Sequence, residues 1–412
     1  MKRLLAPTLL APMVLSGLFP GAVAAQDVAV RGEVVHTMAG SMLRDAVVVV
    51  IGGKISAIGP AADIQVPAGV RVLAARVVTP GLVDAHSAVG LAGWLNYRHD
   101  RDELEASAAV QPELRAIDAY NPREPLVAYL RGYGVTTVHT GHAPGAVISG
   151  QTMIAKTWGE TVDEVVMRPV AMMAATIGEA SLREDGESPG TRSKAVALLR
   201  AELVRAREYQ AKLDAAEDDD EGEPPARDLR LEALGLVLRR EIPLLVTAHR
   251  ANDILTAMRV AEEFDLRLVL DGAAEAYLVA DRILAAGIPV IVHPTMFRAR
   301  RETENLSLET ASKLLAAGIP LALQSGYESY VPRTRVVLFE AGIAAANGLT
   351  FEQALGLITI DAARLLGIDD RVGSIEIGKD GDLALYDDDP FEYTSHCIGV
   401  VIEGVVVSEE RR

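Results

Sequence analysis

Short apolar runs of Val, Leu, Ile and Ala recur along most of this chain, and stretches with helical patterning lie between them. This alternation limits the fold more than any other feature. The runs Gly81–Ala85, Gly134–His139, Pro169–Met173, Pro243–Thr247, Leu266–Leu270, Ile288–Val292 and Ile319–Leu323 have strand length but lack strict polar alternation. Parallel strands covered on both faces read in this way. Helical segments such as Asp253–Phe264 and Leu308–Ala317 separate them. A strand–helix unit repeated at this spacing predicts an α/β fold with a parallel sheet.

The two ends of the chain read differently. Val28–His36, Asp45–Ile51, Lys54–Gly59 and Val72–Val78 are short strand patterns, with Gly52-Gly53 as a hairpin turn. Asp382–Tyr386, Ile398–Ile402 and Gly404–Ser408 continue the pattern at the other end. Strands at both termini can share one module, so residues 26–78 plus 371–412 are expected to form a small composite β-sandwich domain. Residues 79–370 then supply the strand–helix repeats of a (β/α)8 TIM barrel, with seven strands legible and an eighth assumed. An open doubly wound sheet is the alternative, but the chain carries no Gly-rich phosphate fingerprint for one.

Residues 1–25 have the build of a secretory signal peptide. Lys2 and Arg3 precede an apolar stretch to Phe19, and Ala22-Val23-Ala24-Ala25 supplies small residues for cleavage. The apolar stretch is shorter than the roughly 20 residues a spanning helix needs. The expectation is a secreted, periplasmic protein with no membrane anchor after cleavage. Cys397 is the single cysteine, so an intrachain disulfide and a Cys-based zinc site are both excluded. The formal charge of -17 includes no basic stripe, which argues against a nucleic-acid partner. The partner expected is a small-molecule substrate. The run Asp214–Pro225 is strongly acidic and ends in Pro-Pro, the pattern of an exposed loop.

Thr79-Pro80-Gly81-Leu82-Val83-Asp84-Ala85-His86-Ser87-Ala88 resembles the first-strand motif of the amidohydrolase superfamily, P-G-[LIF]-[IV]-D-x-H-x-H. Ala354–Leu366 followed by Val372–Ala384 is similar to that family's exit from the barrel, and Val401–Val407 to its closing strand. Glu113–Arg123 and Val246–Ile254 are similar to segments of secreted, imidazolonepropionase-like members. The resemblance spans nearly the whole mature chain. It implies a hydrolase acting on carbon–nitrogen bonds other than peptide bonds, with water activated on a divalent metal, zinc foremost. Homo-oligomers are common in such families.

Carried onto this sequence, the resemblance assigns metal ligation to His86, Glu179, His249 and Asp271. It places Glu328 and His293 as proton carriers, and His139, His142 and Tyr327 against the substrate. Each lies at or near the carboxyl end of an expected strand, where barrel active sites assemble. His36 and His396 fall in the β module and His99 in a charged stretch, so all three read as structural or solvated. The chain also departs from the family pattern. Ala88 stands in place of the second histidine, no lysine falls on the Ala171–Ala175 run, and Gly326 occupies the position of the strand-8 aspartate. These departures keep two other readings open: a catalytically impaired barrel that binds a small molecule or a partner subunit, and a metal-free enzyme using Tyr327 and Glu328.

Overall fold

The structure is a computed structural model that describes residues 27–94, 97–184, 186–217, 223–295, 298–327 and 336–412. The proposed signal peptide, the acidic positions 218–222 and Glu328 lie outside the described residues.

Four strands open the described chain: β1 (Val28–Val35), β2 (Leu43–Ile51), β3 (Lys54–Pro60) and β4 (Arg71–Pro80). Ten follow: β5 (Leu82–Ser87), β6 (Val135–Thr140), β7 (Ile148–Gln151), β8 (Met153–Lys156), β9 (Val166–Arg168), β10 (Met173–Thr176), β11 (Leu244–Ala248), β12 (Leu268–Gly272), β13 (Val290–Val292) and β14 (Leu321–Leu323). Three close it: β15 (Leu383–Tyr386), β16 (Cys397–Ile402) and β17 (Val405–Ser408).

The termini do share a sheet. Its order is β17-β16-β15-β4-β1-β2-β3, with β4 pairing β1 in parallel and β15 antiparallel. The expected sandwich is one folded-over sheet rather than two facing sheets. Its curl brings the β2–β3 turn against the β16–β17 turn, where a Cβ on Gly53 would lie 3.2 Å from the Glu403 carbonyl oxygen, and against the lead into β15, where Gly381 N–H donates to the Gly53 carbonyl at 2.8 Å. Val30, Val48, Val50, Leu383 and Leu385 fill the inner face.

The repeat region forms two sheets. One runs β14-β13-β12-β11-β10-β7, and all of its pairs are parallel except β10–β7. The other runs β5-β6-β8-β9, with β5–β6 parallel. The segment Ile148–Lys156 is the element missing from the sequence reading. It splits at Thr152, with β7 pairing β10 and β8 pairing β6, antiparallel in both cases. Gly150 and Thr152 interrupt its apolar pattern, and an antiparallel strand was not expected among parallel repeats. An isolated parallel bridge, Ser87 to Gly326, joins the end of β5 to the chain just past β14.

Period-two alternation decides what each strand residue meets. Leu244, Val246, Leu268, Leu270, Val290, Val292, Leu321 and Leu323 pack in the large core with helix residues such as Leu199, Leu203, Ile254 and Ala257. Leu245, Val269, Ile291 and Ala322 form a separate core with Ala362, Ala363 and Leu366. Thr247, Asp271 and Gln324 lie two residues beyond Leu245, Val269 and Ala322. They therefore continue the second face at the carboxyl ends of β11, β12 and β14, and all three are buried.

A long helix spans Arg192–Glu217, so it absorbs the first residues of the acidic run. The third repeat strand begins at Met173 rather than Pro169, because Pro169 lacks the N–H that a ladder requires. Among the described residues no helix is long and apolar enough to cross a membrane.

Candidate active site

Asp271 is the centre of the polar cluster. It is fully buried, and the side chains of His86, Gln324 and Thr247 converge on its carboxylate. His86 Nδ1 lies 3.0 Å from Oδ1, Gln324 Nε2 donates to Oδ1 at 2.8 Å, and Thr247 Oγ1 donates to Oδ2 at 2.6 Å. Burial pushes the Asp271 carboxyl up, but His86, Thr247 and Gln324 outweigh it and hold it below the ordinary aspartate range. An ionised Asp271 must accept from His86, so Nδ1 carries the proton. In the neutral ring Nε2 then holds the lone pair. That atom and Gln324 Oε1 are buried and have no hydrogen-bond partner among the described residues. The Tyr327 ring lies 5.6 Å from that of His86, and burial raises its hydroxyl pKa well above the ordinary value.

Asp84 is a second buried carboxylate. It accepts from the Ser325 backbone N–H at 3.0 Å and from the Ser325 hydroxyl, which ties β5 to the end of β14. Burial raises its pKa to about 6, against those bonds. Asp84, Thr247, Gln324 and Ser325 were not singled out from the sequence. Only Asp84 had a visible signal, as the acidic residue of the Gly81–His86 motif.

His249 follows β11 and lies over Gly272. A Cβ on Gly272 would sit 2.5 Å from His249 Cε1, and the backbone there has φ +73°. Burial drives the His249 pKa down to about 4. Gly272→Ala is therefore expected to displace the imidazole and destabilise the protein by about 1–3 kcal/mol, the usual range for a strained backbone position. Thermal melts and the His249 resonances of wild type and variant check this. An unshifted His249 would show that the ring does not depend on the glycine.

His139 stacks on His86 with ring centroids 5.4 Å apart. Its Nδ1–H donates to the Ala85 carbonyl at 2.6 Å, and Nε2 accepts from Thr152 Oγ1 at 2.7 Å. Burial, reinforced by His86, lowers its pKa to about 3. Both ring nitrogens are thus spent inside the protein, so His139 braces β5 and β6 against Thr152 instead of facing a substrate. His142 packs against Gly150 near the Leu114 carbonyl, and burial lowers its pKa to about 4. His293 is buried, with Nδ1 3.2 Å from the Pro294 carbonyl oxygen and Nε2 3.4 Å from Thr310 Oγ1. His36 packs on Phe351 and His396 on Asp387, while His99 is exposed.

The expected metal set does not assemble. Among the described residues no group of three or more His, Cys, Asp and Glu side chains could hold a metal ion. The bonds to Asp271 occupy both of its oxygens, and Glu179 is turned to Arg301 at 2.8 Å. Gly326 cannot stand in for the family aspartate either. Its φ is +78°, and a Cβ there would lie 2.7 Å from Pro294 Cγ. A zinc centre needs at least three protein ligands, and the residues present do not fit one.

His249 opens onto a cavity of about 330 Å³ lined also by Glu179, Arg298, Arg300, Arg301 and Glu302. A larger cavity of about 790 Å³ lies at the opposite strand ends, by Pro243, Leu266 and Ile288, and no histidine lines it. Active sites on parallel α/β sheets gather at the carboxyl ends of the strands, so the smaller cavity is the candidate active-site mouth.

The amidohydrolase family model matches residues 125–408. An amidohydrolase from Thermotoga maritima has a similar structure, with TM-score 0.88 and 31% identity over 93% of this chain and 100% of that one. An imidazolonepropionase from Rhizorhabdus wittichii is 27% identical over 387 residues, 85% of this chain and 91% of the relative. An adenosine deaminase from Xanthomonas campestris, solved with bound zinc, shares the fold at TM-score 0.53 and 18% identity. The chain belongs to the amidohydrolase family.

Proposed function

We propose that this protein hydrolyses a carbon–nitrogen bond other than a peptide bond in a small molecule, at the cavity lined by His249, beside the buried His86–Asp271 pair. Family membership supports the reaction class. The observation that carries the location is a pair of buried atoms without a hydrogen-bond partner among the described residues, His86 Nε2 and Gln324 Oε1, on side chains held by one carboxylate. Buried polar atoms are nearly always satisfied, and exceptions concentrate where a ligand or reaction must be served. Asp271 fixes the ring so that Nε2 can accept a hydrogen bond from water or substrate. Gln324 Oε1 offers a second acceptor beside it. In this reading His86 rather than a metal polarises the water, because the donor set does not fit a metal.

The protein hydrogen bonds on both Asp271 oxygens and the closed position at Gly326 favour a second reading, in which the barrel binds a small molecule without turning it over. The Ser87–Gly326 bridge and the antiparallel Ile148–Lys156 segment support a further proposal, that the two repeat-region sheets act as a single barrel. Residues 1–25 support export to the periplasm.

The test is elemental analysis of the mature protein purified without chelator, combined with a panel of cyclic amides, dipeptides and amidines. Wild type, His86→Gln and His249→Ala are compared. Turnover without stoichiometric metal, lost in His86→Gln, is the expected result. About one metal per chain, lost in both variants, would overturn the donor-set argument and restore metal-bound water. Saturable binding without turnover would select the binding-only reading.

A further inference from the structure

The cavity beside His249 is bounded on one side by the loop Arg298–Thr303, which brings three arginines to its wall. The loop is built rather than draped. Thr303 Oγ1 donates to the carbonyls of Arg298 at 2.7 Å and Arg300 at 2.9 Å. Glu302 accepts from the Glu179 backbone N–H at 2.6 Å. Beyond it, Tyr277 hydroxyl donates to the Asn305 carbonyl at 2.9 Å, and Asn305 Nδ2 to Glu275 at 2.7 Å. Arg301 is held at φ +53°, a conformation that a non-glycine residue keeps only when its surroundings impose it.

The charges at this wall do not cancel. Glu179 pairs with Arg301 at 2.8 Å, and Glu302 with Arg192, which reaches in from outside the cavity lining, at 3.9 Å. Both lining carboxylates therefore already face a cation. Arg300 is additional, and its guanidinium makes no ion pair or side-chain hydrogen bond among the described residues. A chain with net charge -17 thus places surplus guanidinium at the rim of its candidate mouth. A planar guanidinium matches a carboxylate in a two-pronged hydrogen bond.

We infer that Arg300, on the Arg298–Thr303 loop, binds a carboxylate carried by the substrate and so directs the adjoining amide toward His249. This rests on the proposed C–N hydrolase reading and narrows its substrates to acyl-amino-acid-like molecules with a free carboxylate. The anchoring charge sits at the rim and the reacting bond on the floor. Remote binding of this kind orients the bond that is to break.

The test is calorimetric binding to the full mature protein. The probes are N-acetyl-L-alanine, N-acetyl-L-proline and N-acetylglycine, each beside its neutral primary amide, with inorganic phosphate as a third arm. The carboxylates are expected to bind at least roughly tenfold tighter than their amides, the worth of one partly exposed charge-assisted hydrogen bond. Arg300→Gln should abolish that discrimination while leaving the weak binding of the amides unchanged, and Arg300→Lys should restore part of it. Raising the salt concentration should weaken wild-type carboxylate binding without touching the variant. Equal binding of acid and amide by wild type, or discrimination that survives in Arg300→Gln, overturns the inference. Phosphate binding tighter than every carboxylate overturns the carboxylate assignment. Turnover of neutral amides with no preference for acids would defeat this inference yet leave the hydrolase reading standing.

Discussion

Lys156→Met is expected to destabilise the protein by about 3–5 kcal/mol, the cost of leaving buried charges without their partner. Lys156 ends β8, and its ammonium reaches Asp382 at 2.5 Å and Asp380 at 2.9 Å. All three side chains are nearly inaccessible, at 6%, 3% and 1% exposure. Arg371 and Lys54 add further contacts to Asp380, at 2.8 Å and 2.6 Å. The cluster joins the repeat region to the terminal sheet, because Lys156 belongs to the first, while Lys54 and the residues leading into β15 belong to the second. Removing Lys156 strands Asp382, whose other described bond is from the Glu403 backbone N–H. Urea unfolding of wild type and variant measures the loss. A change below about 1 kcal/mol would mean that Arg371 and Lys54 suffice to hold the carboxylates.

The same cluster fixes the acid response. Burial by itself would raise the Asp380 pKa, but Lys156, Lys54 and Arg371 outweigh it and hold it at about 2. A carboxyl whose folded pKa lies below its unfolded value stabilises the fold fully above the unfolded value. That stabilisation is lost as pH falls through the folded pKa. The Asp380 contribution should therefore be intact above about pH 4 and vanish toward pH 2. Asp380→Asn should flatten that part of the stability curve. An unchanged acid limb in the variant would assign the loss to other carboxyls.

Asp271→Ala is expected to cost about 2–4 kcal/mol, because His86, Gln324 and Thr247 would each lose a buried acceptor, at about 1–3 kcal/mol per orphaned group before re-pairing. Asp271→Asn keeps the shape and one accepting oxygen, and should cost about 1–2 kcal/mol. Both should abolish any turnover or specific binding at the cavity beside His249. The amide no longer obliges His86 Nδ1 to carry the proton, so Nε2 is no longer fixed as the acceptor. Nitrogen-15 spectra of the histidines read this directly. Wild type should show His86 protonated at Nδ1, and the asparagine variant a mixture of tautomers. A wild-type spectrum with the proton on Nε2 would remove the physical basis for the proposed site. Stability lost as expected but with full activity would leave Asp271 a structural residue.

Much of this was legible before any coordinates. The strand–helix rhythm placed six of the seven expected repeat strands within a few residues of where they form, and the patterns at the two ends predicted a shared module. The Gly81–His86 and Ala354–Ala384 motifs carried the family. His86, His249 and Asp271 were rightly set at strand ends, because a strand's period of two and its polar terminus can both be read from neighbouring residues.

What the sequence could not set was the pairing among those residues. The strand-end position of Asp271 suits a metal ligand, yet Gln324 lies 53 positions on and His86 lies 185 positions back, and both meet it only once the strands are aligned. Glu179 was counted for the same site, but the loop bearing Arg301 takes it away. His139 looked free for substrate until Ala85 and Thr152 closed on its two nitrogens. The antiparallel Ile148–Lys156 segment was hidden because its two halves belong to different sheets. Local pattern and composition fix which residues form strands and which face is buried, since those depend on near neighbours and on water. Hydrogen-bond partners far apart in the chain are chosen by register and packing, and only the tertiary structure decided whether a polar side chain at a strand end was held by the protein or left facing the pocket.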